Sequence, residues 1–136
     1  MRTLLVDLLL AIPAVVSLAA GLMKLRYPRE FRAAMISWRV VPATALVPIS
    51  VALPTLEIAI AVLALASLDV AGLRVPAAAA LAALFAAFVA GQVFIRWRTP
   101  AASCGCLGRK ADRLGRATMV RSIVLAGLAV VALALV

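Results

Sequence analysis

At 136 residues, 67% of them hydrophobic, and with a mean hydropathy of +1.19, the chain carries more apolar surface than one water-soluble domain could bury inside itself. Its net charge of +9 would suit a nucleic-acid partner if the cations shared a soluble face, but they flank apolar blocks instead, which argues against nucleic acid. Histidine is absent, and with it go His-based acid–base chemistry, Ser-His and Cys-His triads, and every His-containing metal site.

The apolar residues fall into four blocks: Thr3 to Met23, Ala43 to Leu68, Pro76 to Ile95 and Ala117 to Val136. Each approaches the roughly 20 residues that a helix needs to cross the hydrocarbon, whereas membrane strands are about half as long and alternate in polarity. No such alternation runs through these blocks. The expected fold is all-α, a four-transmembrane-helix bundle forming a single domain over 1–136. Its helices are placed at about 3–25, 43–68, 76–96 and 117–136, with basic loops at 26–41 and 97–116.

The first block also fits a secretory signal, with Ser17-Leu18-Ala19 as a small-residue cleavage site. Its length, the interruptions at Asp7 and Pro13, and the positive flank from Lys24 to Arg39 favour a retained span. Pro42 and Pro76 stand where the first turns of the second and third spans begin, positions at which a missing N–H costs no hydrogen bond. Pro13, Pro48 and Pro54 fall inside spans and are expected to kink them. In the third span Ala82, Ala86 and Ala90 run beside Ala83, Ala87 and Gly91. These two small-residue stripes read as surfaces that let a neighbouring backbone approach closely, which is packing and not a cofactor site.

Lys24, Arg26, Arg29, Arg32 and Arg39 lie in or beside the first connection, and Arg96, Arg98, Arg109, Lys110, Arg113, Arg116 and Arg121 in or beside the third. Twelve of the fourteen cations therefore share one membrane face, and the positive-inside rule makes that face cytoplasmic, with both termini outside. Tyr27, Trp38 and Trp97 flank the same face, at the level where aromatic rings prefer the headgroups. A basic rim in contact with membrane lipid accounts for this arrangement without any ligand.

The third connection holds Ser103-Cys104-Gly105-Cys106-Leu107-Gly108, with both cysteines of the chain. Two cysteines around one glycine can close a small, strained disulfide ring that is reduced more easily than a structural bridge. Gly105 and Gly108 supply the backbone torsions for such a ring, while Arg109, Lys110 and Arg113 favour thiolate over thiol. From Thr99 to Gly115 the segment runs 17 residues, long for a plain connector. Two reduced thiols at a membrane surface fit the spacing equally well. Two thiolates are too few for a closed tetrahedral metal site in one chain, so zinc or iron would need ligands from a second chain or a partner; no metal or organic cofactor of the chain's own is expected.

One carboxylate, Glu57 in the run Leu53-Pro54-Thr55-Leu56-Glu57, falls near the middle of the second span. At that depth an ionisable group points to function, here proton exchange coupled to thiol chemistry; the alternative is a hydrogen-bonded tie to a neighbouring helix. Asp7 and Asp69 are nearer span ends and read as interfacial. Lys24, in the run Gly21-Leu22-Met23-Lys24-Leu25, can snorkel to the headgroups, or pair with Glu57 if both reach one depth.

Taken together, the Gly21–Leu25 run, Pro28, Phe31, Ala34, Pro42, the Pro54 and Glu57 pair, the Cys104-Gly105-Cys106 loop and Arg121 resemble the methylamine utilisation protein MauE family, relatives of the DoxX-like membrane proteins. The resemblance covers nearly the whole chain in order. It implies a multi-pass protein of the bacterial plasma membrane, linked to maturation of the disulfide-rich methylamine dehydrogenase light subunit. Related domains accompany thioredoxin-like partners, which implies that electrons pass through the paired cysteines, with Gly105, Gly108, Arg109, Lys110, Lys24 and Arg121 in support. Leu107 stands where the family loop usually has phenylalanine, and Arg121-Ser122 replaces a common Arg-Asn. Both departures bear more on assignment to methylamine dehydrogenase than on the redox reading.

The functional expectation is a thiol–disulfide accessory acting with a thioredoxin-like or exported thiol protein. Its alternative is a non-redox assembly or transport component with incidental cysteines. A quinone-reducing protein of the vitamin K epoxide reductase type is a more distant third, because its usual CxxC spacing is missing. The charge rule places the cysteines in the cytoplasm, whereas maturation of an exported protein implies the outside.

Overall fold

A computed structural model describes residues 1–102 and 115–136. Cys104, Gly105, Cys106, Leu107, Gly108, Arg109, Lys110 and Arg113 lie outside the described residues. Five α-helices are present among those described: α1 (Arg2–Arg26), α2 (Pro28–Trp38), α3 (Ala43–Ala66), α4 (Arg74–Arg98) and α5 (Arg116–Leu135). Four of them, α1, α3, α4 and α5, are long and apolar enough to cross a membrane. The protein is an all-α membrane protein.

The long helices pack as a closed ring, with α1 against α3, α4 against α5, and the two pairs joined by α1 on α5 and α3 on α4. The core where they meet is built from Leu10, Ala14, Ala64, Ala77, Ala78, Leu81, Phe85, Leu125, Ala129 and Ala132. Alanine dominates because lipid gives helices no hydrophobic reason to associate, so close backbone approach and dispersion must hold them together. Hydrogen bonds reinforce the α4–α5 contact, Gln92 Nε2 donating to Ser122 Oγ at 3.0 Å and Arg96 Nη1 to Met119 Sδ at 3.5 Å.

At the end opposite the basic connections, a 3₁₀ turn at Ala71–Leu73 leads into α4. There Arg74 pairs with Asp7 at 3.0 Å, joining the start of α4 to α1. The same guanidinium donates to the carbonyls of Ser67 and Leu68, both at 3.4 Å, and so places a cation at the C-terminal end of α3, where the helix dipole favours it. Pro42 is the N-cap of α3 and Pro76 the third residue of α4, so neither removes an interior hydrogen bond.

The structure corrects one expectation about the first basic segment. The segment at 26–41, read as a loop, contains α2. Pro28 opens this helix at its first position, where a fixed φ is an advantage. Arg39 closes it in the left-handed region at φ 57°. Phe31, Ala34 and Met35 are buried on the face toward the bundle, whereas Arg29, Glu30 and Ala33 are exposed. A short helix of this kind, apolar on one side and charged on the other, suits the plane of the membrane interface.

Candidate functional site

The centre of the site follows from one close helix crossing. Gly21 on α1 meets α3 where a side chain would not fit: a Cβ there would lie 2.8 Å from Ile58 Cγ1 and 2.9 Å from the Pro54 carbonyl oxygen. One turn before it Ser17 donates to the Glu57 carbonyl at 3.3 Å, and about one turn after it Lys24 reaches the Glu57 carboxylate. Ser17, Gly21 and Lys24 lie on a single face of α1, since residues three and four apart stack along a helix. The runs Gly21–Lys24 and Pro54–Glu57, far apart in sequence, are therefore two halves of one contact.

The register of that contact decides the depth of Lys24. Lys24 is the third residue from the end of α1, yet it sits against the middle of α3, so the first turns of α3 run on past α1 to where α2 packs against them. The lysine consequently has no path along α1 to the headgroups. Lys24 is 4% exposed and Glu57 fully buried, which replaces the snorkelling reading with the paired one. The ammonium also lies 5.4 Å from the centroid of the Phe31 ring on α2 and 5.2 Å from that of Phe88 on α4, so a carboxylate and two aromatic faces surround it. Phe31 is buried by α2 folding back over the site, a closure that a plain loop would not provide. Glu57 Oε1 takes the Lys24 bond, while Oε2 has no hydrogen-bond partner among the described residues.

Beside this pair the bundle is not filled. A cavity of about 540 Å³ extends from Lys24 between α3 and α4. Leu53, Leu56 and Ile60 form its α3 wall and Ala80, Ala83, Ala87 and Gly91 its α4 wall, with Phe85 and Phe88 lining it too. Its polar end is made by Lys24, Gln92, Arg121 and Ser122. This overturns the close-packing reading of the Ala83, Ala87 and Gly91 stripe. These residues border open space, and nothing lies within 4 Å of where a Cβ on Gly91 would be. Small residues give way to a neighbouring helix only if that helix approaches, and here α3 does not.

Of the remaining expected residues, Arg121 is exposed on α5 at the cavity edge, close enough to Lys24 for the two charges to repel. Trp38, expected at headgroup level, is half-buried and lines the cavity, edge-on to Phe31 with ring centroids 6.3 Å apart. Trp97 is 79% exposed. Asp7 is held by Arg74, and Asp69 is exposed just beyond α3. The cavity, Phe88 and Gln92 were missed by sequence reasoning. Phe31, Ala34, Met35 and Trp38, at helical spacing, were the signal that could have found α2.

The sequence from residue 2 to residue 135 matches the family described as methylamine utilisation protein MauE. The chain belongs to the MauE family. A curated relative, the methylamine utilization protein MauE of Paracoccus denitrificans, is 40% identical over 95 residues, covering 68% of this chain and 48% of the relative. The chain thus aligns with about half the length of that relative. No solved structure matches. The family's description names methylamine utilisation, and the four apolar helices of this chain agree with a membrane protein. The Gly21–Lys24 and Pro54–Glu57 runs that carried the resemblance are the runs that meet at the buried ion pair.

Proposed function

We propose that this MauE-family chain is a thiol–disulfide carrier of the bacterial plasma membrane, supporting the maturation of an exported protein during methylamine utilisation. The observation that best supports this reading is a shared location. The connection bearing Cys104 and Cys106 leaves α4 beside the end of α2, where Thr99 Oγ1 donates to the Trp38 carbonyl at 3.3 Å, and the same α2 lays Phe31 against Lys24 of the buried pair.

In this reading a dithiol of a thioredoxin-like partner attacks the Cys104–Cys106 disulfide. A mixed disulfide forms and resolves, the partner leaves as a disulfide, and both cysteines of the chain are reduced, with two electrons and two protons transferred. The reduced pair gives the two electrons to the disulfide of a second carrier on the route outward and closes its own bridge again. Arg109 and Lys110 favour the attacking thiolate, and Gly105 and Gly108 allow the tight ring. Glu57, with an oxygen left open to a proton, exchanges protons during the cycle, Lys24 holding it in place. The twelve cations at this end support a cytoplasmic position for the pair.

Serine variants test the proposal. Cys104→Ser or Cys106→Ser alone should hold a partner in a mixed disulfide, visible on a non-reducing gel. The double variant should insert normally and lose both that band and the change in the partner's redox state. An unchanged partner redox state in the double variant would reject the carrier and leave a non-redox assembly role.

A further inference from the structure

The cavity beside the ion pair is used by none of the chemistry above. Its volume of about 540 Å³ falls within the roughly 300–1,000 Å³ of ordinary small-molecule pockets. Three features define what it could accept. Its walls along α3 and α4 are aliphatic and aromatic. Its exposed wall residues at mid-span, Leu56, Ala83 and Ala87, lie on the two helices that flank the gap, so the cavity opens sideways into the hydrocarbon. Its polar end, formed by Lys24, Arg121, Ser122 and Gln92, lies toward the basic connections.

Among the described residues, cations outnumber carboxylates at that end. Among the described carboxylates, Asp7 is paired with Arg74 at the far end, Asp69 follows α3 at that same far end, and Glu57 is taken by Lys24. Glu30, exposed on α2, faces a rim that also carries Arg26, Arg29, Arg32, Arg39, Arg96, Arg98, Arg116 and Arg121. Arg121 stands at the cavity edge and makes no ion pair among the described residues.

We infer that the cavity is a binding site for one anionic phospholipid of the surrounding bilayer. An acyl chain enters sideways between α3 and α4 and lies along Ala83, Ala87 and Gly91, while its phosphate is held by Arg121. An apolar chain matches the walls, and an anion matches Arg121, the cavity-lining cation that makes no ion pair among the described residues. The small side chains of Ala83 and Ala87 and the bare backbone at Gly91 are then what make room for the ligand. This inference does not depend on the cysteines.

The test uses full-length protein in nanodiscs of equal parts phosphatidylglycerol and phosphatidylcholine, released into native mass spectrometry. The wild type should retain one phosphatidylglycerol per protomer. Gly91→Leu fills open space and should lose that lipid without a fall in Tm, and Ala87→Leu serves the same purpose should the first variant fold poorly. Arg121→Gln should keep a bound lipid but lose about fivefold in preference for phosphatidylglycerol, the worth of one basic residue near a headgroup. Retention unchanged in a well-folded filled variant would overturn the site. Equal retention of both lipids by the wild type would overturn the anionic head, and a neutral isoprenoid held in their place would overturn the occupant.

Discussion

Two glycines face the middle of this bundle, and they do opposite things. At Gly21 the missing side chain lets α1 and α3 come together until backbone meets side chain, and the contact buries an ion pair. At Gly91 the missing side chain leaves space, since α3 stays away from this stretch of α4 and a cavity lies between them. The same residue type serves closure on one side of α3 and vacancy on the other. A small residue in a membrane helix permits approach, and only the neighbour's path determines whether approach occurs.

The largest effect should come from unpairing the buried charges at the closed side. Lys24→Met leaves Glu57 buried without its cation and should cost about 3–5 kcal/mol of stability, read as the loss of cooperative unfolding in detergent. Adding Glu57→Leu should restore most of that loss, because a well-packed apolar pair replaces a buried ion pair at little cost. A double variant that is stable but defective in partner redox exchange would assign the pair to function, while one that is stable and active would assign it to structure.

The two glycines separate next under one substitution. Gly21→Ala should destabilise by about 1–3 kcal/mol, since its Cβ meets a backbone oxygen that cannot move away alone. Gly91→Ala should stabilise by about 0.5–1 kcal/mol, because the new methyl has open space and the helix loses a flexible residue. Thermal unfolding of both variants in the same detergent gives the comparison directly, and shifts of the same sign would break it. The smallest effect belongs to the Gln92–Ser122 hydrogen bond between α4 and α5. Gln92→Leu should cost about 0.6 kcal/mol, in the range of such bonds inside membranes.

The sequence carried the spans clearly, because an unbroken apolar run of about 20 residues matches the thickness of the hydrocarbon and exceeds what a buried core helix requires. Both halves of the Lys24–Glu57 contact were visible too, yet their meeting was not. It depends on the stagger of α1 against α3, and hydropathy says nothing about the register between two helices. For α2 the spacing of Phe31, Ala34, Met35 and Trp38 was present in the sequence but was masked by the basic residues around it. The cavity was illegible for a deeper reason. Ala83, Ala87 and Gly91 read identically whether a neighbour touches them or not.

Sidedness links the bundle to its proposed chemistry, and labelling intact cells with a membrane-impermeant maleimide is its sharpest test. Cys104 and Cys106 should stay unlabelled in intact cells with or without prior reduction, and react after permeabilisation, more strongly once reduced. Labelling of intact cells after reduction would place an oxidised pair outside, contradict the cytoplasmic position drawn from the cations, and make direct oxidation of exported proteins the chemistry of this loop.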